Sequence, residues 1–303
     1  MTVTVKAPVA PARYSVEHET RYSYNSPVVQ SWQMAHLTPR RLPWQQVFAH
    51  SLQIDPLPDE QHSAVDSFGN AVVHFALHGA HRRLQVRMQC LVDVGERPAL
   101  PVDETPWQVV RDAVCSTEPP CELAAVQMIE PTPLVPLSDA ARAYAEPHFA
   151  PQRHWLAAVS ALMHAIHGDF TFDPEATTVS TSVDEVLAQR RGVCQDFAHL
   201  MLACLRAHGL PARYVSGYLL TNPPPGRPRL MGVDASHAWV AAYSPQCGWV
   251  EFDPTNNQLA DSRYVTLAWG GDFADVVPLR GVILGGDEQA LRVAVSVTPV
   301  GEL

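Results

Sequence analysis

The alternation of apolar and polar positions in the first third of the chain predicts β-strands. Alternating runs occupy residues 14–24, 47–54 and 84–94, and this period turns one face of a strand toward a core. Residues 66–70, with the sequence DSFGN, are typical of a turn between two strands. We therefore predict that residues 1–100 form a small, mostly antiparallel β domain.

From residue 151 onward the apolar positions follow the period of a helix. This period extends over residues 151–166 and again over residues 194–208. The sequence SVDE at residues 182–185 is a capping box and predicts a short helix that ends at Gln189. We therefore expect three helices in this part of the chain.

Alternating runs return after these helices and predict a sheet beside them. They comprise residues 212–220, part of 229–243, residues 248–252 and a final run at 291–297. The sequence SPQCG at residues 244–248 predicts a hairpin between the second and third runs. The expected fold class is α+β, with helices packed on an antiparallel sheet.

Length and proline content indicate two domains and a connection. At about 150 residues per domain, a chain of 303 residues corresponds to roughly two domains. Ten of the 27 prolines lie between residues 98 and 151, a density that interrupts regular structure repeatedly. We predict that residues 101–150 are a Pro-rich connecting segment and that residues 151–303 form the second domain, with a C-terminal strand.

Composition excludes several classes of protein. The chain is 47% hydrophobic and 17% charged with a net charge of −10, which is unlike a disordered chain and argues against a broad nucleic-acid surface. No run of about 18 apolar residues predicts a membrane span, and residues 1–16 lack the apolar centre of a secretory signal. The six cysteines form no CxxC pair. We therefore expect reduced thiols in a cytoplasmic protein that binds neither nucleic acid nor membrane.

Cys194 differs from the other cysteines because it lies at the predicted start of a helix. The free N–H groups and partial positive charge of a first turn favour a thiolate and a nearby oxyanion. Gly192 lets the backbone turn tightly before it. Cys194 is therefore a candidate nucleophile for acyl transfer. The remaining cysteines are expected to be inert or simply buried, as most free cysteines are: Cys90, Cys115, Cys121, Cys204 and Cys247.

A histidine and an aspartate at the open end of the predicted hairpin complete a catalytic set. His237 lies near the start of one strand, and Asp253 follows the end of the next. A connecting loop of three or five residues would place both side chains on one face, whereas an even loop would separate them. On one face, Asp253 would hold one imidazole nitrogen while the other faces the thiol of Cys194.

Three ordered segments resemble the transglutaminase-like superfamily of cysteine enzymes. They are RGVCQDFA at residues 191–198, HAWV at 237–240 and GWVEFDPT at 248–255. The similarity is closest to a bacterial branch that carries an N-terminal β domain, and the VPLRGV stretch at residues 277–282 also looks like that branch.

This resemblance implies a fold, a site and a substrate class. Residues 151–303 are expected to form a papain/transglutaminase-like catalytic domain, in which the nucleophile helix packs on an antiparallel sheet. Cys194 is expected to act as the nucleophile, His237 as the general base and acid, and Asp253 as the residue that orients His237. The substrate expected is a peptide or protein amide, and no cofactor or metal is implied.

The sequence leaves the acyl acceptor open. Gln195 follows Cys194 where animal transglutaminases have tryptophan, and no acidic loop suggests their calcium sites. We favour water as the acceptor, which makes the protein a peptidase or amidase. The alternatives are an amine-accepting transglutaminase and an inactive binding module on the same fold.

Other polar residues have simpler explanations than a site. His74, His78 and His81 have a spacing that could bind zinc on a helix, but the run around them is strand-like and would scatter them over both faces. His164 and His167 end a predicted helix, where a positive charge is favourable. No Gly-rich phosphate loop or dinucleotide fingerprint is present in the sequence.

Overall fold

The structure, a computed structural model, describes residues 12–115, 123–220 and 236–301. The strands in these ranges are β1 (Ala12–Ala35), β2 (Gln45–Asp55), β3 (Glu60–Val65), β4 (Ala71–Leu77), β5 (His81–Val94), β6 (Thr171–Phe172), β7 (Arg191–Gly192), β8 (Ala212–Leu219), β9 (Ser236–Ser244), β10 (Gly248–Asp253), β11 (Gln258–Leu259), β12 (Tyr264–Gly270), β13 (Leu279–Gly285) and β14 (Gln289–Pro299). The α-helices are α1 (Trp107–Cys115), α2 (Leu123–Val126), α3 (Asp139–Ala145), α4 (Trp155–Asp169), α5 (Val183–Gln189) and α6 (Cys194–Ala207). None of the helices described is long and apolar enough to cross a membrane.

The N-terminal β domain is built around β1, a strand of 24 residues. The antiparallel strands lie in the order β2-β5-β1-β4-β3. β5 pairs with the first half of β1, and β4 pairs with its last residues. Because apolar residues alternate along β1 and β5, one face of this sheet is buried. The predicted N-terminal β region is confirmed.

The C-terminal strands belong to this first sheet, which differs from the sequence-based assignment. Residues 291–297 do form a strand, but β14 pairs with residues 14–24 of β1, and β13 pairs with residues 28–35. We had placed the C-terminal strand within the domain of residues 151–303. Alternation shows which face of a strand is buried but not which strand is its partner. β1 is long enough to hold two strands end to end along one edge.

The second sheet is antiparallel and curled, in the strand order β11-β10-β9-β8-β12. Helix α6 packs between β8 and β9 on one side and helices α3, α4 and α5 on the other. Its residues are buried without a break from Asp196 to Ala207. A helix packed on an antiparallel sheet is the predicted α+β architecture, and it is confirmed.

The Pro-rich segment is more regular than its composition suggests. It contains α1, α2 and α3, and α1 and α3 contribute buried side chains to the main core. Proline is tolerated at the start of a helix because the first N–H groups have no intrahelical partner. Pro106, which directly precedes α1, shows this arrangement, since its carbonyl accepts the N–H of Val110. The prolines therefore limit the length of these helices but do not prevent the helices from forming.

Candidate active site

Helix α6 begins at Cys194, directly after the short parallel pair of β6 and β7. The side chain of Cys194 is partly buried. Gly192 lies so close to Asp196 that a Cβ atom at this position would be 2.6 Å from the Oδ2 atom of Asp196. A glycine is therefore required for the chain to enter α6 along this path.

Asp196 caps the helix that carries Cys194. Its Oδ2 atom accepts hydrogen bonds from the backbone N–H of Val193, at 2.7 Å, and from the hydroxyl of Thr177, at 2.6 Å. Burial raises the pKa of Asp196, and these two hydrogen bonds only partly oppose that rise. Asp196 lies in the first turn of α6, where a carboxylate complements the helix dipole. The structure shows that it also fixes the turn before Cys194.

The β9–β10 hairpin places His237 and Asp253 together. Gly248 pairs with Ser244, so the loop between the strands has three residues, 245–247. This is one of the odd lengths that puts both side chains on one face. The Nε2 atom of His237 lies 2.7 Å from the Oδ2 atom of Asp253, and these side chains are 10% and 0% exposed.

The thiol of Cys194 also interacts with the imidazole of His237. Because Nε2 is directed at Asp253, Nδ1 is the nitrogen left for the thiol. Burial by itself lowers the pKa of His237, but the hydrogen bonds and charges of Asp253 and Cys194 outweigh it and raise the pKa to about 10. The structure thus brings together all three residues that we predicted from the sequence.

Asp253 is fixed by further donors that the sequence did not reveal. Its Oδ1 atom accepts the backbone N–H groups of Thr255 and Asn256, at 2.9 and 3.1 Å. Its Oδ2 atom accepts the Asn256 side-chain amide at 2.7 Å and the Tyr264 hydroxyl at 2.6 Å. Burial raises the pKa of Asp253, but His237, Tyr264 and Asn256 together lower it below its ordinary value. Asn256 follows Asp253 closely in sequence, whereas Tyr264 lies outside the predicted strands and had no local signal.

Two histidines of α4 hold the turn that follows Asp253. The Nδ1 atom of His167 donates to the Thr255 carbonyl at 3.0 Å, and the Nδ1 atom of His164 is in hydrogen-bond contact with Asn257. The sequence explains both histidines by their position at the end of a helix, and His167 does lie in the last turn of α4. The structure adds a partner in the turn for each of them, and that turn supplies the backbone N–H groups bound to Asp253.

The remaining polar candidates lie apart from this site. His74 stacks on His62 with ring centroids 4.9 Å apart, while His78 lies 3.4 Å from Glu60 and His81 bonds a backbone carbonyl. Among the described residues, no group of three or more histidine, cysteine, aspartate or glutamate side chains could hold a metal ion.

Among the other cysteines, Cys90 and Cys204 are buried, whereas Cys247, like Cys194, is partly buried. Burial raises the pKa of Cys90 to about 12 and also raises the pKa of Cys204 and Cys247. These three, like Cys194, are free thiols. Cys121 and the side chain of Cys115 lie outside the described residues.

Two parts of the chain match the models of known families. Residues 142–254 match the transglutaminase-like superfamily, and residues 14–93 match the bacterial transglutaminase-like N-terminal region. The chain belongs to the transglutaminase-like superfamily. The match to the superfamily core includes Cys194, His237 and Asp253, and the N-terminal match lies within the first sheet. The resemblance inferred from the three sequence segments is thus confirmed.

Similar proteins match either almost the whole chain or a part of it. An uncharacterized protein of Mycobacterium tuberculosis strain H37Rv is 42% identical over 300 residues, which cover 95% of this chain and 93% of the relative. A protein-glutamine gamma-glutamyltransferase of Pseudomonas aeruginosa is 36% identical over 120 residues, 38% of this chain and 17% of the relative. The crystal structure of a candidate cysteine protease from Cytophaga hutchinsonii has a TM-score of 0.75 at 21% identity, over 97% of this chain and 92% of that one. This last likeness shows the fold over almost the whole chain.

Proposed function

We propose that this transglutaminase-like protein is a cysteine-dependent acyl-transfer enzyme that hydrolyses a peptide or side-chain amide through a thioester. The supporting observation is the set of Cys194, His237 and Asp253, with Cys194 at a helix start and the other two hydrogen-bonded in a buried pair. Each residue occupies the position that its proposed role requires.

In the first half of the reaction His237 takes the proton of the Cys194 thiol, and the thiolate attacks the carbonyl carbon of the amide. The resulting oxyanion is stabilised by the backbone N–H of Cys194 and by the partial positive charge at the start of α6. The C–N bond then breaks, and the amine leaves with the proton held by His237. With a pKa of about 10, the imidazole carries that proton at neutral pH.

In the second half His237 removes a proton from water, and the resulting hydroxide attacks the thioester carbonyl. The C–S bond breaks, which releases the carboxylic acid and returns the proton to Cys194. Cys194 is only partly buried, which leaves room for water to approach a thioester formed on it. This exposure is the reason for preferring hydrolysis.

Transamidation is the second candidate. The observation that favours it is the similarity of 120 residues of this chain to a protein named a protein-glutamine gamma-glutamyltransferase. The chemistry is identical up to the thioester, and only the acceptor differs, a primary amine in place of water. An inactive binding module is disfavoured because the three residues and their hydrogen bonds are complete.

The test is a screen of peptide amides and glutaminyl amides, each with and without hydroxylamine as the acceptor. The variants are Cys194→Ala and, as a matched control, Cys247→Ala, which removes another partly buried thiol. We expect release of amine or ammonia without hydroxylamine incorporation, complete loss of activity in Cys194→Ala and normal activity in Cys247→Ala.

Two other outcomes would change the proposal. Incorporation of hydroxylamine in preference to hydrolysis would assign the protein to the transamidases. Activity that survives in Cys194→Ala would show that no thioester forms on Cys194, and the proposed mechanism would then be wrong.

A further inference from the structure

Tyr264 binds the Asp253 carboxylate from a strand outside the hairpin. It is the first residue of β12, its side chain is fully buried, and its hydroxyl lies 2.6 Å from the Oδ2 atom of Asp253. Burial, together with the charge of Asp253, raises the pKa of Tyr264 well above its ordinary value. The phenol therefore stays protonated and donates to the same oxygen that holds His237.

The direction of this hydroxyl is set by a second contact. The side-chain NH2 group of Gln258 donates to the Tyr264 hydroxyl oxygen at 2.6 Å. The side-chain oxygen of Gln258 in turn accepts a hydrogen bond from the Arg263 guanidinium at 2.8 Å. Since Gln258 occupies an acceptor position of the phenol oxygen, the hydroxyl hydrogen is left to point at Asp253.

The N-terminal β domain supplies hydrogen bonds along the outer edge of β12. In the part of the chain that the structure describes, β8 is the only strand paired with β12. On the other edge, the buried side-chain amide of Gln45 donates to the Thr266 carbonyl and accepts the Thr266 N–H, both at 2.8 Å. A neighbouring strand would make the same two bonds.

Two further residues of the N-terminal half extend this edge. Asn70 accepts the Trp269 N–H at 3.0 Å and donates to the Trp269 carbonyl at 2.8 Å. Arg97 donates to the carbonyl of Tyr264 itself at 3.2 Å. These contacts hold β12 from its first residue almost to its last, on the edge away from β8.

We infer that Tyr264 is a positioning residue for Asp253, and that the N-terminal β domain holds Tyr264 in place through Gln45, Asn70 and Arg97. This inference rests on the proposed function, because it assigns Tyr264 a part in orienting His237. A carboxylate held by a buried donor keeps the imidazole within the narrow range of orientations that proton transfer requires.

The first test compares Tyr264→Phe with Tyr218→Phe. Tyr218 is also fully buried in the second sheet, and its hydroxyl bonds His18 rather than the site. With p-nitrophenyl acetate as the probe substrate, Tyr264→Phe should lower kcat about 10-fold to 100-fold at unchanged KM, since a bond to a charged group is lost. Tyr218→Phe should lower only the melting temperature.

A second readout follows the His237 imidazole by NMR in histidine-labelled protein, with His237→Ala for assignment. Loss of the Tyr264 donor raises the pKa of Asp253, which weakens its hold on the imidazolium. The titration of His237 should therefore move to lower pH by about one unit in Tyr264→Phe. It should not move in Tyr218→Phe.

The contribution of the N-terminal domain is tested by Gln45→Met against Gln33→Met. Both remove a buried amide from the N-terminal sheet region, but Gln33 bonds Ser31 and not β12. Gln45→Met should lower kcat about threefold to tenfold and move the His237 titration in the same direction as Tyr264→Phe. If Tyr264→Phe does not fold, Gln258→Leu is the alternative, because it removes the contact that directs the Tyr264 hydroxyl. It should change kcat and the His237 titration in the same direction but by a smaller amount.

The inference would be overturned if each variant behaved like its control. It would also be overturned if kcat fell while the pKa of His237 stayed unchanged. Either result is what a purely structural role would give. The titration needs no substrate. If the wild type does not turn over any acyl substrate, the proposed function fails while the titration still decides the role of Tyr264. If Cys194→Ala is inactive and Tyr264→Phe is unchanged, only the inference about Tyr264 fails.

Discussion

At the scale of single residues, Asp253 determines the electrostatics of the site. Its side chain is fully buried, which by itself disfavours a carboxylate. Donors at both oxygens reverse this effect, and the carboxylate in turn keeps His237 charged. The charge pair of Asp253 and His237 is therefore stabilised by the donors around Asp253.

Asp253→Asn should reduce turnover on the order of 10⁴-fold, the scale seen for the analogous change in a serine triad. The reduction should be smaller if Cys194 already forms an ion pair with His237, since the imidazole then needs less help. Turnover and melting temperature are measured together, with Asp93→Asn as the control, because Asp93 pairs with Arg13 far from the site. Turnover near that of the wild type at an unchanged melting temperature would leave only a dyad of Cys194 and His237.

Cys194 should be alkylated faster than the other cysteines near neutral pH. It combines a helix start with a hydrogen-bonded imidazole, whereas burial raises the pKa of Cys90, Cys204 and Cys247. Brief treatment with iodoacetamide followed by mass mapping measures the order of labelling. Earlier labelling of Cys204 or Cys247 would show that the nucleophile is misassigned.

At the scale of elements, the position of Cys194 depends on how the chain enters α6. Gly192 and Asp196 act together here, because the carboxylate that caps the helix occupies the space where a side chain of residue 192 would lie. Gly192 and Asp196 therefore depend on each other. A change of either residue alone would move the start of α6.

Gly192→Ala should lower stability by about 1–3 kcal/mol and slow the alkylation of Cys194, because its methyl group displaces Asp196. Gly168→Ala is the matched control. Gly168 lies within α4, and a Cβ atom there would have open space, so this change should be neutral or stabilising by about 0.5–1 kcal/mol. Urea unfolding and the alkylation rate measure both effects. Equal behaviour of the two variants would refute the role given to Gly192.

At the scale of the whole molecule, buried histidines join parts of the chain that are distant in sequence. The Nδ1 atom of His18 in β1 lies 2.8 Å from the Tyr218 hydroxyl in β8, which links the two sheets. The Nε2 atom of His199 in α6 accepts the N–H of Phe273 at 3.2 Å. Burial lowers the pKa of both histidines to about 4.

The protein should lose stability as the pH falls from about 6.5 to 4. The pKa of His18 and His199 is lower in the folded state than in the unfolded chain, so each contributes stability that is present above pH 6.5 and is lost toward pH 4. Between pH 7 and pH 5 the expected loss is about 2 kcal/mol per histidine. Urea unfolding at both pH values measures it.

Two variants separate this effect from general acid sensitivity. His199→Gln keeps an acceptor for Phe273 without a titrating ring and should reduce the pH dependence, whereas His62→Gln changes an exposed histidine and should not. An unchanged pH dependence in His199→Gln would show that this buried ring is not the group responsible.

Much of the fold and the candidate site could be predicted because the signals are local. The capping box at Ser182, the helix that starts at Cys194 and the β9–β10 hairpin all follow from residues within one or two turns of each other. The three motifs that hold Cys194, His237 and Asp253 are equally local, and their order was enough to indicate the family. The parity of the hairpin loop was left open, since loop boundaries depend on strand pairing.

The sequence alone therefore determined which residues could perform the chemistry, because residue type, spacing and helix position are properties of short segments. The tertiary structure decided which distant residues support them. Alternation in residues 291–297 predicted a strand but could not show that it pairs with residues 16–22 of β1, at the other end of the chain. Tyr264 and Gln45 lie outside the strands predicted from the sequence, and only the packing of β12 between Asp253 and the N-terminal domain connects them to the site. Such contacts depend on the path of the whole chain, which no local pattern specifies.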